Sequence, residues 1–362
     1  MKTAFIHTIK QVPSLLKLPK EEHKKLRELL KRHPMRIPPY YYDLIDFKDE
    51  QDPIAKMAIP SLEELSLKGE WDTSGEKSNT RFSGLQHKYK QTVLVLCTNV
   101  CFMYCRHCFR KRMVGYSNEE ISKRTDQAVE YIKNHPEVTN VLITGGDSFT
   151  MSNHQIEQYL SALTTIEHLQ FVRFGTRSLV VNPDRIIKDI ELQAILKRYG
   201  ERKQVIVVTQ FNHPREITNQ AKEATKALLD AGCRVLNQAV LLKGINDEPH
   251  TLALLLNQLT ANGIQPYYVF QCRPVKGATH FQVPLVKGIE IVNEARKELS
   301  GVSKAFRYVM SHPKGKIEII GAHENQMIFK FHQSKDNKHH NLIFMKDKKE
   351  NACWLDEHLN PF

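Results

Sequence analysis

From Thr92 onward, the chain alternates short apolar runs rich in β-branched residues with longer stretches of helical periodicity. The apolar runs predict six strands, at Thr92–Leu96, Val141–Thr144, Phe171–Phe174, Val205–Gln210, Val235–Leu242 and Tyr267–Gln271. The stretches between them predict helices that include Glu119–Asn134, Gln155–Leu163, Arg185–Arg198 and Thr218–Ala231. Strand–helix units in succession are typical of parallel strands joined by right-handed crossovers. The pattern predicts an α/β fold and leaves open whether the sheet is a partial barrel or doubly wound.

The segments before and after this region follow other patterns. The N-terminal part is polar and helical, and its amphipathic helix over Glu21–His33 ends at Pro34. The C-terminal part predicts short strands at Ile317–Ile320, Met327–Phe331 and Leu342–Met345. We therefore predict three parts: an N-terminal helical extension over 1–84, a core over 85–300 and a small α+β tail over 301–362.

Composition narrows the class of protein. Hydrophobic residues make up 41% of the chain and charged residues 25%, so the chain can bury a core. No apolar run approaches the ~20 residues that a membrane helix needs. The short apolar patch near the N-terminus lacks a secretory cleavage site and is followed by Pro13, so we expect a cytoplasmic protein.

The chain carries a formal net charge of +12, and its basic residues concentrate in Lys17–Arg32 and Lys335–Lys349. Such a charge is compatible with nucleic acid, with solvated basic faces or with a pocket for anionic cofactors. Because no aromatic residues are interleaved as in RNA-binding motifs, we do not expect nucleic acid as the main partner.

Residue types that carry chemistry follow the predicted strands. In both candidate architectures, functional groups gather at the carboxyl ends of the parallel strands. Five strands are followed by such a group: Cys97–Cys108, Gly145-Gly146-Asp147, Gly175-Thr176-Arg177, Asn212-His213 and Cys272-Arg273. We expect these groups to lie at the working edge of the sheet.

Four of the seven cysteines lie close together, at Cys97, Cys101, Cys105 and Cys108. A disulfide framework would spread its cysteines, so this clustering indicates a metal site. Three thiolates at C-x3-C-x2-C spacing suit an iron–sulfur cluster with one open iron, whereas a fourth thiolate from Cys97 would complete a zinc site. Since Cys97 ends its strand, we expect its side chain to pack beneath the loop, which favours the iron–sulfur cluster.

The cysteine loop resembles that of the radical SAM (S-adenosylmethionine) superfamily in its triplet and in His107. The longer segment Tyr104–Arg112 resembles the lysine 2,3-aminomutase family more specifically. Further segments similar to that family are Gly84–Tyr89, Gly145–Asp147, Gly175–Arg177, Phe211–Pro214, Asn237-Gln238, Leu241–Asp247 and Tyr267–Cys272. The resemblance extends from about Trp71 to Lys316.

This resemblance implies the partial (β/α)6 barrel of radical SAM enzymes and their cofactors. Cys101, Cys105 and Cys108 would ligate a [4Fe–4S] cluster whose open iron binds SAM, beside His107. Gly145-Gly146-Asp147 would position the methionyl amine of SAM, although these residues also suit a turn in which the aspartate caps a helix. An electron donor such as flavodoxin or ferredoxin is implied as a partner, and a homo-oligomer is compatible with the resemblance.

The resemblance also implies pyridoxal 5′-phosphate (PLP), which forms an imine with a lysine and then with the substrate amine. Lys316, after a short Pro-Gly turn, best matches the family's lysine, with Lys314 as the second choice. Thr92 stands where relatives commonly carry an arginine near the phosphate, so Lys88 is expected to supply charge there. Gln210 replaces a histidine that lies near the cofactor in lysine aminomutase.

Three positions bear on the substrate. Arg110 matches the arginine that grips the substrate carboxylate, a role suited to its planar guanidinium. Arg273 and Ser311 stand where lysine enzymes hold the distal ammonium with two aspartates. We therefore expect a substrate with an anionic or polar distal group rather than free lysine. Alternatively, Arg273 contacts the cofactor phosphate.

The resemblance thus predicts a radical SAM isomerase, an amino-acid 2,3-aminomutase that moves an amino group from C2 to C3. Two other enzyme functions stay open. One is a PLP-independent enzyme of the same family, and the other is the branch that makes β-lysine for modifying a translation factor, which Arg273 disfavours. The non-enzyme alternative is a basic zinc-binding module built on the four clustered cysteines.

Overall fold

A computed structural model describes residues 5–116, 119–122, 124–336 and 338–362 of the protein. Within these ranges, one mixed and unclosed sheet of twelve strands carries the fold, and the strands lie in it in chain order. The strands are β1 (Thr80–Phe82), β2 (Leu85–Tyr89), β3 (Thr92–Thr98), β4 (Asn140–Gly145), β5 (Phe171–Gly175), β6 (Gln204–Thr209), β7 (Arg234–Leu241), β8 (Ile264–Gln271), β9 (Arg307–His312), β10 (Gly315–His323), β11 (Gln326–Ser334) and β12 (Ile343–Asp347).

The helices precede the sheet or connect its strands. Those before β1 are α1 (Pro13–Leu16), α2 (Lys20–Arg32), α3 (Pro39–Tyr42), α4 (Pro53–Ala58) and α5 (Glu76–Asn79). The connecting helices are α6 (Thr125–Lys133), α7 (Asn153–Leu163), α8 (Ser178–Val181), α9 (Asp184–Ile187), α10 (Ile190–Gly200), α11 (Asn219–Asp230), α12 (Pro249–Ala261) and α13 (Leu285–Lys297). The helix predicted over Glu119–Asn134 corresponds to α6, and position 123 of that prediction lies outside the described residues. Over the described ranges, no helix combines the length and the apolar character needed to cross a membrane.

Seven adjacent strands, β3 to β9, run parallel, and α6 to α13 lie in their connections. The strands β3 to β8 correspond to the six predicted from the apolar runs. The pattern does not predict β9, because only three apolar residues lie between its charged and polar ends. Pairing with β8 at Tyr268 to Phe270 makes this segment a strand.

The parallel register brings alternate side chains of neighbouring strands to one face of the sheet. Thr92 pairs with Asn140, and Leu142 with Arg173. These side chains line a cavity. Intervening residues such as Val172 belong to the apolar core. The sheet thus presents its inner face to the cavity over several strands.

The C-terminal strands extend the sheet as an antiparallel ribbon. β10 pairs with β9 and β11, and β12 pairs with β11. Their alternating burial, with Ile317 and Ile319 buried and Glu318 less so, is that of strands with one packed face. The described residues of 301–362 contain strands and turns but no helix, so the helical part of the predicted α+β tail is wrong.

Candidate active site

A cavity of about 560 Å³ lies along the inner face of the parallel strands. It is lined by all twelve predicted site residues: Lys88, Cys101, Cys105, His107, Cys108, Arg110, Gly145, Gly146, Asp147, Gln210, Arg273 and Lys316. Thr92 and Ser311 also line the cavity, whereas Cys97 and Lys314 do not. The fold therefore gathers the predicted residues at one site and separates the two candidate lysines.

The cysteine loop is anchored by the N-terminal part of the chain. The Tyr104 N–H donates to the Arg36 carbonyl oxygen at 3.0 Å, and the Arg106 N–H donates to the Met57 carbonyl oxygen at 2.9 Å. Both bonds come from residues between the cysteines, so they fix the loop at its centre.

Two of the three thiols of the loop accept a hydrogen bond at sulfur. Arg177 Nη1 donates to Cys105 Sγ at 2.9 Å, and the Arg110 N–H donates to Cys108 Sγ at 3.3 Å. Burial raises the pKa of Cys108 to about 11, and it also raises the pKa of Cys101. Thiolates in such a place are favoured when a metal centre binds them, so this donor set fits an iron–sulfur cluster.

The Cys97 thiol lies apart from these three. Its Sγ donates to the Thr144 carbonyl oxygen on β4 at 3.0 Å. In the described part of the chain, no three His, Cys, Asp or Glu side chains are arranged to hold a single metal ion. A four-iron cluster binds each thiolate through a different iron, so its ligands need not converge on one point.

A buried glutamate neutralises the outer side of the cysteine loop. Glu64, in the 3-10 turn Leu62–Leu65, accepts from Arg106 Nη2 at 2.7 Å and from Lys111 Nζ at 2.8 Å. Although burial alone would raise it, these two cations lower the pKa of Glu64 to about 2. The carboxylate is therefore ionised and structural at neutral pH.

A second buried glutamate holds Arg110, the residue predicted to bind the substrate carboxylate. Glu76 of α5 lies 3.1 Å from Arg110 Nε and 3.0 Å from its Nη2, and it also accepts from Arg112 Nη2 at 2.6 Å. Arg110 Nη1 donates to the Gly145 carbonyl oxygen at 3.3 Å. Since arginine has five N–H groups, two of them remain for a ligand.

Asp147 ties the ends of β4 and β5. Its Oδ1 accepts from Thr176 Oγ1 at 2.6 Å and from the Phe149 N–H at 2.9 Å, and its Oδ2 accepts from the Arg177 N–H at 2.7 Å. Gly145 before it has φ of +123°, and a Cβ there would lie 2.3 Å from a main-chain oxygen. The carboxylate thus acts as a cap and a strand tie, the arrangement of the turn alternative.

Arg177, which follows β5, connects the cysteine loop to the segment that follows β6. Besides its bond to Cys105, its Nε donates to the Gln210 carbonyl oxygen at 2.9 Å and its Nη2 to Glu216 Oε1 at 2.5 Å. The Tyr41 hydroxyl donates to the same glutamate oxygen at 2.6 Å. Sequence analysis placed Arg177 in a strand-end group and in a segment that resembles the family, and did not predict its contact with Cys105.

His107 lies between the cysteine loop and β6. Its Nε2 is 3.3 Å from Gln210 Oε1 and 3.3 Å from Asn212 Nδ2, and among the described residues its Nδ1 has no partner. Burial, followed by the charge of Arg177, lowers the pKa of His107 to about 3. The imidazole is therefore a neutral hydrogen-bonding group at neutral pH.

Four cations line the cavity from β2, β5, β10 and the residue pair after β8, and we call them the basic end: Lys88, Arg173, Arg273 and Lys316. Among the described residues that line the cavity, the acidic ones are Glu76 and Asp147, and both are engaged as described above. Charge buried without a counter-ion is unfavourable. The basic end therefore suits an anionic ligand.

The cations of the basic end have neutral partners. Lys88 Nζ donates to the carbonyl oxygens of Ser74 at 3.0 Å and His312 at 2.6 Å. Arg273 Nη1 donates to Ser74 Oγ at 3.0 Å, and its guanidinium lies 4.0 Å from the Phe109 ring centre. Burial, with like charges nearby, lowers the pKa of Lys88 to about 7 and that of Arg273 to about 10.

Lys316 lies on β10 with its Nζ 4.1 Å from the centre of the Tyr268 ring. Burial, followed by the charges of Arg173, Lys88 and Arg273, lowers the pKa of Lys316 to about 7. At neutral pH, a substantial fraction of the protein molecules then carries Lys316 as a neutral amine. A neutral amine in a cavity can react with a carbonyl group.

Sequence reasoning missed Glu64, Glu76 and Arg173. The signal for the glutamates is the run Arg110-Lys111-Arg112, since three cations in a buried loop require carboxylates. The signal for Arg173 is its position: it is the lone charged residue of the apolar strand β5, two residues from Phe171 and on the same face.

Comparison with known proteins identifies relatives over most of the chain. Residues 95–256 match the family model of the radical SAM superfamily. The chain is 38% identical to a putative L-lysine 2,3-aminomutase of Aquifex aeolicus (strain VF5), over 94% of this chain and 92% of that protein. It is 40% identical to the L-lysine 2,3-aminomutase of Clostridium subterminale, over 82% and 71%. It is 37% identical to the glutamate 2,3-aminomutase of Clostridioides difficile (strain 630), over 86% and 72%. The chain therefore belongs to the lysine 2,3-aminomutase family of the radical SAM superfamily and is an enzyme of the isomerase type.

Proposed function

We propose that the protein is a PLP-dependent amino-acid 2,3-aminomutase whose substrate carries an anionic or polar distal group. One observation carries the proposal: Lys316, with a pKa lowered to about 7, lines the same cavity as the three clustered cysteines. The part of the cavity beside the cysteine loop is suited to radical chemistry, and the basic end is suited to a phosphorylated aldehyde.

Membership in the radical SAM superfamily implies a [4Fe–4S] cluster and SAM. We assign the cluster to Cys101, Cys105 and Cys108. Together, the bound cluster and SAM supply a 5′-deoxyadenosyl radical that removes a hydrogen atom from the substrate. Arg177 holds Cys105, and Gly145-Gly146 offers main-chain groups to the methionyl ammonium, since the following carboxylate already accepts several hydrogen bonds.

The basic end fits PLP, because PLP carries an anionic phosphate and an aldehyde. When bound, PLP supplies a conjugated system that stabilises an unpaired electron during migration of the amino group. Lys316 provides the amine that bonds to it, and Lys88 adds positive charge. Gln210 and His107 offer neutral hydrogen-bonding groups between the two ends of the cavity.

We assign substrate selection to Arg110 and Arg273. Both act electrostatically on Glu76, so they lie toward the same side of the cavity. Arg110 retains two N–H groups for the α-carboxylate, and Arg273 offers a cation to an anionic side chain such as that of glutamate. The relatives named for lysine and for glutamate are 40% and 37% identical to this chain, so overall similarity does not select between the two substrates.

The proposal also covers the arrangement of the strands, the roles of the three parts of the chain and the source of the electron. We propose that the parallel strands form a partial (β/α)6 barrel within the core over 85–300. The extension over 1–84 covers the cysteine loop through Glu64 and Glu76, and the segment over 301–362 carries Lys316. A flavodoxin or ferredoxin would deliver the electron, in a reducing cytoplasm, and the enzyme could act as a homo-oligomer.

The test is anaerobic reconstitution with iron and sulfide, followed by incubation with SAM, PLP and dithionite. Glutamate, glutamine, lysine and arginine are offered separately, and 5′-deoxyadenosine and β-amino acids are quantified. We expect four irons with labile sulfide and a β-amino acid from an anionic or polar substrate. One bound zinc without sulfide would instead support the zinc-binding module.

Borohydride reduction of PLP-loaded protein, followed by peptide mapping, tests the lysine. We expect the label on Lys316, and the matched Lys314→Met variant should retain it while Lys316→Met loses it. A label on Lys314 would contradict the assignment. Turnover without PLP would support the PLP-independent alternative.

A further inference from the structure

Arg173 is a cation of the basic end that the proposed roles above leave unused. It lies on β5, and its remaining accessible surface faces the cavity. Its Nη2 donates to Asn140 Oδ1 at 2.5 Å, whereas its Nε is buried and has no partner among the described residues. No ion pair is found for it in the part of the chain that the structure describes, although a buried guanidinium strongly favours one.

Neighbouring side chains hold Arg173 in place. Asn140 Nδ2 donates to Thr92 Oγ1 at 3.1 Å, so a polar chain crosses β3, β4 and β5 and ends at the guanidinium. The nearby groups that act on its charge are the hydroxyls of Tyr267 and Tyr268. The guanidinium is thus oriented by neutral groups, which leaves its positive charge for a ligand.

Arg173 and Arg273 reach the cavity from different strands, since Arg173 lies on β5 and Arg273 follows β8. The charge of Arg273 acts on Glu76 and Arg110, near the cysteine loop. Lys316 on β10 lies within electrostatic range of both arginines.

We propose that Arg173 forms the phosphate site of the basic end and binds the phosphate group of PLP, leaving Arg273 for the distal group of the substrate. This inference rests on the proposed use of PLP. A guanidinium presents parallel N–H groups to phosphate oxygens, and Nε with an Nη group is suited to such a pair. With the phosphate held by Arg173 on β5, Arg110 and Arg273 would stay available for the substrate.

The test compares PLP with pyridoxal, which has the aldehyde but lacks the phosphate. Binding of each to the wild type, Arg173→Met, Arg173→Lys and Arg273→Met is measured by absorbance titration and by borohydride trapping at Lys316. In the wild type, PLP should bind more tightly than pyridoxal. Arg173→Met should reduce that preference by roughly 10- to 100-fold, the range for a charged hydrogen bond, while pyridoxal binding is unchanged.

The other variants separate this site from a general loss of structure. Arg173→Lys should keep part of the preference for PLP, and Arg273→Met should keep all of it. Loss of the preference in Arg273→Met, or its retention in Arg173→Met, would overturn the inference while leaving PLP use intact.

If the wild type takes up no PLP, the proposed function fails, and inorganic phosphate then tests the anion site by itself. Phosphate should raise the thermal midpoint of the wild type through preferential binding to the folded state, raise it less in Arg173→Lys and not raise it in Arg173→Met. An equal effect on all three proteins, or no effect on the wild type, would refute the site. A stabilisation that falls from the wild type through Arg173→Lys to Arg173→Met would support it, and pyridoxal phosphate analogues without the aldehyde would then identify the source of the phosphate.

Discussion

The cysteine loop and the basic end face the same cavity and are both rich in cations, but among the described residues ion pairs are found only at the first. Around the loop, Glu64 pairs with Arg106 and Lys111, and Glu216 pairs with Arg177. At the basic end, cations contact carbonyl oxygens, hydroxyls, amides and rings. The first region contains its own ion pairs, whereas the cations of the second have none among the described residues and are available to an anionic ligand.

This difference separates structural charge from functional charge. An internal ion pair that loses one partner leaves a buried charge, so breaking one of the pairs around the loop should destabilise the fold. A buried cation without a partner destabilises the free protein, and its retention is explained when a ligand neutralises it. The predictions below test that division, beginning with the largest effect.

The cluster cysteines should show an all-or-none effect. Replacing Cys101, Cys105 or Cys108 by Ala should abolish both iron binding and reductive cleavage of SAM, since a three-thiolate site has no spare ligand. Cys97→Ala, the matched control, should keep both, because its thiol donates to a carbonyl oxygen on β4. Equal iron loss in Cys97→Ala and Cys105→Ala would contradict this ligand set.

Arg273 should set the charge of the preferred substrate. Two like charges about 4 Å apart cost on the order of 4 kcal/mol at an effective dielectric constant of ~20, or roughly three decades in affinity. We therefore expect lysine to be a poor substrate and Arg273→Asp to improve lysine relative to glutamate. Turnover of both amino acids by the two proteins is the measurement. Efficient lysine turnover by the wild type, unimproved in Arg273→Asp, would exclude this role.

Removing one carboxylate and one cation should have opposite effects on stability. Glu64→Gln leaves Arg106 and Lys111 without their counter-ion and should lower the free energy of unfolding by about 3–5 kcal/mol. Lys316→Met removes an uncompensated charge and should leave the free energy of unfolding at pH 6 unchanged or higher. Glu294→Gln, at an exposed pair with Lys297, is the control and should change it by less than about 1 kcal/mol.

Urea denaturation of the apoprotein measures all three variants. If Lys316→Met destabilised the protein as strongly as Glu64→Gln, the basic end would have internal counter-ions after all. The cysteine loop and the basic end would then not differ in charge compensation.

Much of the sheet could be predicted from sequence because parallel strands buried on both faces require long apolar runs. The strands β3 to β8 have such runs, and the strand-end rule then placed the cysteine loop and Asp147 at one cavity. The strand β9 was not predicted, because it forms a strand through pairing with β8 and not through its own apolar pattern. The apolar runs of the tail predicted strands where β10, β11 and β12 lie, whereas no helical pattern supported the helical part of its α+β assignment.

The counter-ions could not be predicted because they are distant in sequence. Glu64 lies 42 residues from Arg106 and 47 from Lys111, and no local pattern relates them. Arg173 was not predicted as a site residue for another reason. One polar residue in an apolar strand is weak evidence for a site until the strand register shows which face of the sheet it occupies. Family resemblance predicted Lys316 as the PLP lysine, and this residue lines the cavity, whereas Lys314 is exposed.

The smallest predicted effect is a pH dependence of stability that originates at the basic end. Lys316 and Lys88 have pKa values lowered to about 7 in the folded protein, against 10.5 as ordinary lysines. Between these values the unfolded chain binds more protons, so stability should rise with pH from about 7, by up to about 1.4 kcal/mol per pH unit for each lysine. Below pH 7 both states are charged and this contribution is flat.

Urea denaturation of apoprotein in phosphate-free buffer between pH 6 and 8.5 measures this slope. The upper limit avoids the buried cysteines, whose raised pKa makes stability fall as pH rises through their ordinary range near 9. Lys316→Met should remove the contribution of Lys316 to this slope. Lys226→Met, at an exposed pair with Asp230, should leave the slope unchanged. An unchanged slope in Lys316→Met would mean that this lysine titrates normally, and the case for an uncompensated basic end would then rest on Lys88, Arg173 and Arg273.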